Sequence, residues 1–244
     1  MKKYLPKGVD VIVKNITGAG GITGTVALYR SKPNGYTIGH LYADGLLGLQ
    51  MLRRVPYDVE KFTWLAVVGG EPYALLVSKT SPYRSVKDLK KAKRLTWGVE
   101  APGTGRWFPG IIAAKEMGLL FELVTGYRGT GESLPGLLRG DYDVFTQPID
   151  HPSVIPYIKT GEIRPLVTFS ETRAKNAPDV PTAREAGYDL VLKISRAIAA
   201  PPGLPAQQAK TLEDILVKAM NDKEYKQFVV KSGSPIVPGD AKTA

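Results

Sequence analysis

The stretches Gly18-Ala19-Gly20-Gly21 and Gly98-Val99-Glu100-Ala101-Pro102-Gly103-Thr104-Gly105 hold the residue types best suited to chemistry. Each follows a short apolar run, residues 9–13 and 95–97, and each opens a helix-like segment. A strand that ends in a glycine-rich turn and feeds a helix leaves backbone N–H groups converging on one point, with the helix dipole behind them. The chemistry this offers is anion capture. Two such turns in different lobes can close on one small anionic ligand from opposite sides.

In the second turn the ligand donors are the N–H groups of Gly103, Thr104 and Gly105, with the Thr104 hydroxyl as N-cap. The plainer reading is a helix cap with no ligand. At Gly18 to Gly21 the plainer reading is tight packing, for which Gly20 and Gly21 suffice. Tyr127-Arg128-Gly129-Thr130 offers a ring and a hydroxyl to a cleft, and Arg128 reads as a solvated charge. Trp107, on a first helical turn, either stacks on a ligand or packs into the core. Asp150-His151 reads as a surface turn before Pro152.

Enzyme readings stand beside this one. Gly18 to Gly24 fits G-x-G-x-x-x-G, and Asp44 stands near the end of the next strand, so an NAD(P)-dependent Rossmann-type oxidoreductase is the alternative. Nothing downstream supplies an obvious acid or base for hydride transfer. A P-loop fails because Thr104-Gly105 stands where Lys-Ser/Thr is needed. A serine hydrolase fails because Gly131-Glu132-Ser133-Leu134-Pro135 lacks the second glycine of a nucleophile elbow.

Strands and helices must position these groups. Strand patterns fall at residues 9–13, 36–41, 65–68, 73–77, 95–98, 122–125, 142–146, 164–169 and 194–199. Helical patterns fall at 20–29, 104–117, 133–139, 153–159, 181–187, 205–220 and 224–230, and Ser85-Val86-Lys87-Asp88 has the form of a capping box. The alternation predicts an α/β fold of mainly parallel sheets flanked by helices. Irregular passages at 98–101 and 199–203 read as crossovers. They divide the chain into one lobe of residues 1–98 with 201–244 and a second of 99–200.

Composition narrows the class. A chain of 244 residues with 43% hydrophobic and 23% charged content is long and apolar enough to bury a core. No apolar run approaches the ~20 residues of a membrane span, so direct membrane insertion is not expected. Without cysteine there is no disulfide or thiolate site. With only His40 and His151 beside that, no metal or other cofactor is expected. The net charge of +10 is scattered, and its densest run, residues 87–94, reads as a solvated helix face. That argues against nucleic acid as partner and leaves a field able to steer small anions.

Taken in order, the motifs resemble a known family. Asn15-Ile16-Thr17-Gly18-Ala19-Gly20-Gly21 followed by Pro33-Asn34-Gly35-Tyr36-Thr37 is similar to the N-R-P-G-A-G-G and P-D-G-Y-T signature of the Bug-type receptors of tripartite tricarboxylate transporters. Pro56-Tyr57-Asp58, the turn from Gly98 to Trp107, Tyr127-Arg128-Gly129-Thr130, Gly140-Asp141-Tyr142-Asp143, and Pro178-Asp179-Val180-Pro181-Thr182 with Glu185-Ala186-Gly187-Tyr188 resemble further family motifs in the same order. The resemblance implies a two-lobed, type II periplasmic-binding-protein fold without catalytic activity. It implies a small carboxylate ligand, the membrane permease subunits of a tripartite transporter as partners, and a periplasmic or other extracytoplasmic location. The implied ligand-binding residues are Gly18, Ala19, Gly20, Gly21, Ala101, Gly103, Thr104, Gly105, Trp107, Tyr127, Gly129 and Thr130. By the same pattern the chain begins after the family's signal peptide, first strand and first glycine loop, and stops before its last helix. It departs from the pattern at Val99, Glu100, Ala101 and Trp107.

Overall fold

The computed structural model describes residues 1–99, 107–232 and 239–241. In chain order the elements are α1 (Ile22–Tyr29), β1 (Gly39–Tyr42), α2 (Ala43–Leu52), β2 (Thr63–Gly69), β3 (Tyr73–Ser78), α3 (Val86–Lys90), β4 (Thr96–Gly98), α4 (Trp107–Met117), β5 (Glu122–Val124), α5 (Thr130–Arg139), β6 (Val144–Pro148), α6 (Ile155–Lys159), β7 (Ile163–Thr168), β8 (Arg196–Ala200), α7 (Ala206–Asn221) and α8 (Lys223–Ser232). They gather into two compact units, Met1–Gly70 with Ser195–Ala244, and Glu71–Ile194.

The first unit holds a three-stranded sheet in the order β1-β8-β2. Alternation along β8 sends Ala199 to one face and Ala200 to the other. On the first face Leu28, Leu41, Leu46 and Phe62 form the core. On the second, the apolar stripe of α7 brings Leu216 and Met220 against Leu65 and Ala66.

In the second unit the sheet runs β5-β4-β6-β3-β7. Its strands alternate in the same way. Leu75, Trp97 and Val144 meet Ala113, Ala114 and Met117 of α4 on one face. Leu76 and Phe145 meet Leu134 and Leu137 of α5 on the other.

The expectation of mainly parallel sheets is corrected. β8 is antiparallel to both β1 and β2, and β3 is antiparallel to both β6 and β7. Among the strand pairs of the described residues, β4 alone pairs in parallel, with β5 and β6. The local crossovers still do what such units do. β1 and β2, joined through α2, point the same way, as do β4, β5, β6 and β7, joined through α4, α5 and α6. The two opposed strands are the first of each stretch that follows a passage from one unit to the other. A strand arriving from elsewhere is not bound by the crossover rule and inserts where edges are open.

The lobe boundaries are corrected too. The chain passes between units at Gly70/Glu71 and Ile194/Ser195, not at 98/99 and 200/201. Residues 71–98 belong to the second unit because β3 pairs on both edges there.

Residues 9–13 form no strand. Ile12 and Val13 are 80% and 82% exposed, and a strand without a partner is not stable in water. Residues 181–187 close as turns rather than as a helix, although their capping box forms: Glu185 N–H donates to Thr182 Oγ1 (3.1 Å) and Thr182 N–H to Glu185 Oε2 (2.8 Å). Gly187, at φ 90°, ends the segment before a second turn. α2 had no counterpart among the expected helices, because Gly45 and Gly48 interrupt its apolar pattern.

Candidate functional site

β4, β5 and β6 run in parallel, so their carboxyl ends share one rim of the second unit, where α/β folds place ligands. β4 leads out through Val99, whose N–H donates to the Val124 carbonyl at 3.0 Å. The turn that follows, with the site candidates Ala101, Gly103, Thr104 and Gly105, lies outside the described residues. Gly98 itself is explained by packing. A Cβ there would stand 2.2 to 2.5 Å from three atoms of the Tyr142 ring. That ring is buried, and its hydroxyl donates to the Ser133 carbonyl.

Trp107 opens α4 and is half-buried, lying edge-on to Phe108. Its indole Nε1 is buried and has no hydrogen-bond partner among the described residues. One strand inward, Trp97 Nε1 donates to Thr146 Oγ1 at 3.1 Å.

α5 starts at the same rim. Gly129 is its N-cap, with φ 144° and no side-chain cap. Glu132 reaches back to accept the Arg128 N–H at 2.9 Å. Thr130 is the first helical residue, and its Oγ1 accepts from Gln147 Nε2 at 3.3 Å. Gln147, the fourth residue of β6, is 1% exposed. Sequence reading missed it. The available signal was a polar pair, Thr146-Gln147, inside the apolar run from Val144 to Ile149.

Tyr127 is turned toward the helix behind it. Its ring meets that of Tyr142 edge-on at 5.4 Å, its hydroxyl donates to Asp141 at 3.3 Å, and it covers Gly136. Burial and then Asp141 push the Tyr127 hydroxyl pKa up. Arg139 holds the Asp141 carboxyl below its ordinary value. In the loop after β6, Asp150 and His151 are half-buried rather than on the surface, and burial raises the Asp150 carboxyl.

In the first unit, Ala19–Gly21 form a 3-10 turn that opens α1, with Gly18 as its N-cap, and Gly18, Ala19 and Gly21 are exposed. Gly21 N–H donates to the Gly18 carbonyl at 2.9 Å, and α1 has no side-chain cap. Gly18 is the glycine this turn demands: its φ is 127°, and a Cβ would stand 2.7 Å from Thr23 Oγ1. Ala19 takes φ 48°, the one non-glycine in the left-handed region among the described residues.

The structure does not support the dinucleotide fingerprint. No strand precedes the Gly18 turn, and the motif requires one. Asp44 is in the first turn of α2, where its Oδ1 accepts the Ser195 N–H at 3.3 Å. Among the described residues no helix is long and apolar enough to cross a membrane.

Comparison with known proteins adds to this geometry. Residues 1–244 match the family described as "Tripartite tricarboxylate transporter family receptor". The sequence is 29% identical over 245 residues to Protein BugT of Bordetella pertussis, covering 94% of this chain and 73% of that one. The structure is similar to that of Rpa4515 of R. palustris with adipate, at TM-score 0.80 and 23% identity, covering 97% of this chain and 81% of the other. It is also similar to MatC of Rhodopseudomonas palustris with bound malate, at TM-score 0.75 and 23% identity, covering 90% and 76%. These likenesses establish the fold as that of the α/β periplasmic binding proteins.

Proposed function

Because this chain belongs to the tripartite tricarboxylate transporter receptor family, we propose that it is an extracytoplasmic receptor that captures a small carboxylate for the membrane permease subunits of a tripartite transporter. The family match along all 244 residues carries the reading. The adipate and malate held by two similar structures support the ligand class. A solute receptor binds and releases its ligand unchanged, so no catalytic residue is assigned.

The proposed grip is dominated by backbone. A carboxylate presents two acceptor oxygens, and the starts of α1 and α5, which no side chain caps, have the positive end of a helix dipole behind them. The proposed contacts are Gly18, Ala19, Gly20 and Gly21 in the first unit, and Ala101, Gly103, Thr104, Gly105 and Gly129 in the second. The Thr130 hydroxyl joins them, with the Trp107 indole N–H and the Tyr127 ring at the margin. The net charge of +10 favours the approach of an anion.

Calorimetric titration with malate and with adipate tests the reading. Saturable binding of either is expected. At a ligand concentration 100 times Kd, stability rises by about 2.7 kcal/mol and the melting temperature with it. Absence of both heat and melting shift with either acid would remove the carboxylate reading.

A further inference from the structure

We propose that the face of the second unit carrying Lys87, Lys90, Lys91 and Lys93 is a docking surface for the anionic headgroups of a phospholipid membrane. The inference goes beyond the receptor reading and stands independently of it.

The observation behind it is a run of positive charge that the fold leaves unneutralised. Residues 84–94 hold six Lys or Arg and a single acid, Asp88, whereas the rest of the second unit holds more acids than bases. Val86 and Leu89 of α3 pack into the core. Lys87, Lys90 and Lys91, spaced i, i+3 and i+4, are left exposed on the outer face, with Lys93 beyond them. Like charges at that spacing destabilise a helix, so folding alone does not account for them. The neighbouring acids are already engaged. Asp88 accepts from the Ser85 hydroxyl and the Arg84 N–H, Glu122 pairs with Arg94, and Asp143 accepts from the Thr96 N–H and hydroxyl. Among the described residues Lys87, Lys91 and Lys93 form no ion pair, and Lys90 Nζ lies over the Tyr188 ring at 5.0 Å.

Strand direction places this charge. β4 and β5 pair in parallel, with Thr96 opposite Glu122. Residues 91–94 lead into β4 and residues 118–121 into β5, so both approaches lie at the amino ends of the strands. The rim proposed to hold the carboxylate is at the other end and stays clear. Leu120, 91% exposed, stands on the second approach. Lysines meet lipid phosphates while an apolar side chain reaches the acyl boundary, the combination that a bilayer surface takes. Lysine is a flexible point charge, suited to a mobile field of headgroups rather than to a fixed bidentate partner.

The test is co-sedimentation of the full chain with sucrose-loaded vesicles of phosphatidylcholine alone, or of phosphatidylcholine and phosphatidylglycerol in equal parts. Wild type is expected to bind only the second, and to be released in about 1 M salt, where the Debye length is about 3 Å. Lys87→Gln/Lys91→Gln/Lys93→Gln should weaken binding about a hundredfold, from about fivefold per lysine. Lys7→Gln/Lys14→Gln/Lys32→Gln removes the same net charge from exposed lysines of the first unit. It should stay within about threefold of wild type. Leu120→Ser should weaken binding about fivefold through lost apolar contact. All these side chains are exposed, circular dichroism checks that each variant is folded, and the wild-type lipid and salt comparisons need no variant.

No binding to phosphatidylglycerol vesicles, equal binding to both vesicle types, or equal losses in the two triple variants would overturn the inference. Unchanged binding in Leu120→Ser would overturn the choice of a bilayer as occupant. So would retention on immobilised poly-glutamate without vesicle binding, which would make the occupant an acidic polypeptide. Calorimetry with malate and adipate decides the receptor reading separately.

Discussion

At Gly98 the backbone passes beneath an aromatic ring, and a single methyl group decides whether that is possible. Tyr142 is 2% exposed and held at its hydroxyl, so it has little room to withdraw. Gly98→Ala is expected to destabilise the second unit by about 1–3 kcal/mol through overpacking. A urea midpoint equal to that of wild type would show that the ring can move aside. Gly18 answers to a different constraint, because its positive φ and the nearby Thr23 hydroxyl penalise any side chain. Gln147 shows the reverse case, a side chain larger and more polar than packing requires.

At the scale of elements, the starts of segments are where side chains replace missing backbone partners. Ser85 Oγ accepts the Asp88 N–H at the start of α3, and Asp88 accepts back from the Ser85 hydroxyl and the Arg84 N–H. Thr182 and Glu185 repeat the exchange in the turn at residues 181–187. The Thr182 N–H and then Arg173 hold Glu185 below its ordinary value of 4.5. A carboxylate with a depressed folded pKa stabilises above its unfolded pKa, and the contribution is lost as pH falls through the folded value. The melting temperature is therefore expected to fall as pH drops below about 4.5, and to fall less in Glu185→Gln. Equal pH profiles for the two proteins would refute the assignment. Residues 9–13 supply the opposite lesson, an apolar run that gains no burial. Ile12→Lys is expected to change stability by no more than about 0.5 kcal/mol. A larger loss in a urea melt would mean that Ile12 is packed after all.

At the scale of the molecule, each compact unit carries its own hydrophobic cores, and among the described residues none of the core clusters draws on both. Leu137, fully buried on the inner side of α5, belongs to the second unit. Leu137→Ala is expected to cost about 2–5 kcal/mol. Hydrogen exchange should show the lost protection within residues 71–194. An equal loss throughout residues 1–70 would mean that the two units unfold as one.

The sequence by itself determined the α/β class, the receptor family and most element positions. These depend on local periodicity, on turn glycines and on motif order, all readable along one dimension. Ser85 and Gly187 could be placed at segment ends because capping and left-handed turns involve neighbours in the chain. Tertiary structure alone decided the rest. The direction of β3 and β8 depends on which edges are open when a strand arrives from the other unit. The fate of residues 9–13 depends on whether a partner strand lies beside them. Tyr127 faces Asp141 and Tyr142 because α5 and β6 meet there, and Gln147 meets Thr130 for the same reason. Each of these is a contact between residues distant in sequence or a matter of strand pairing, and no local pattern encodes it.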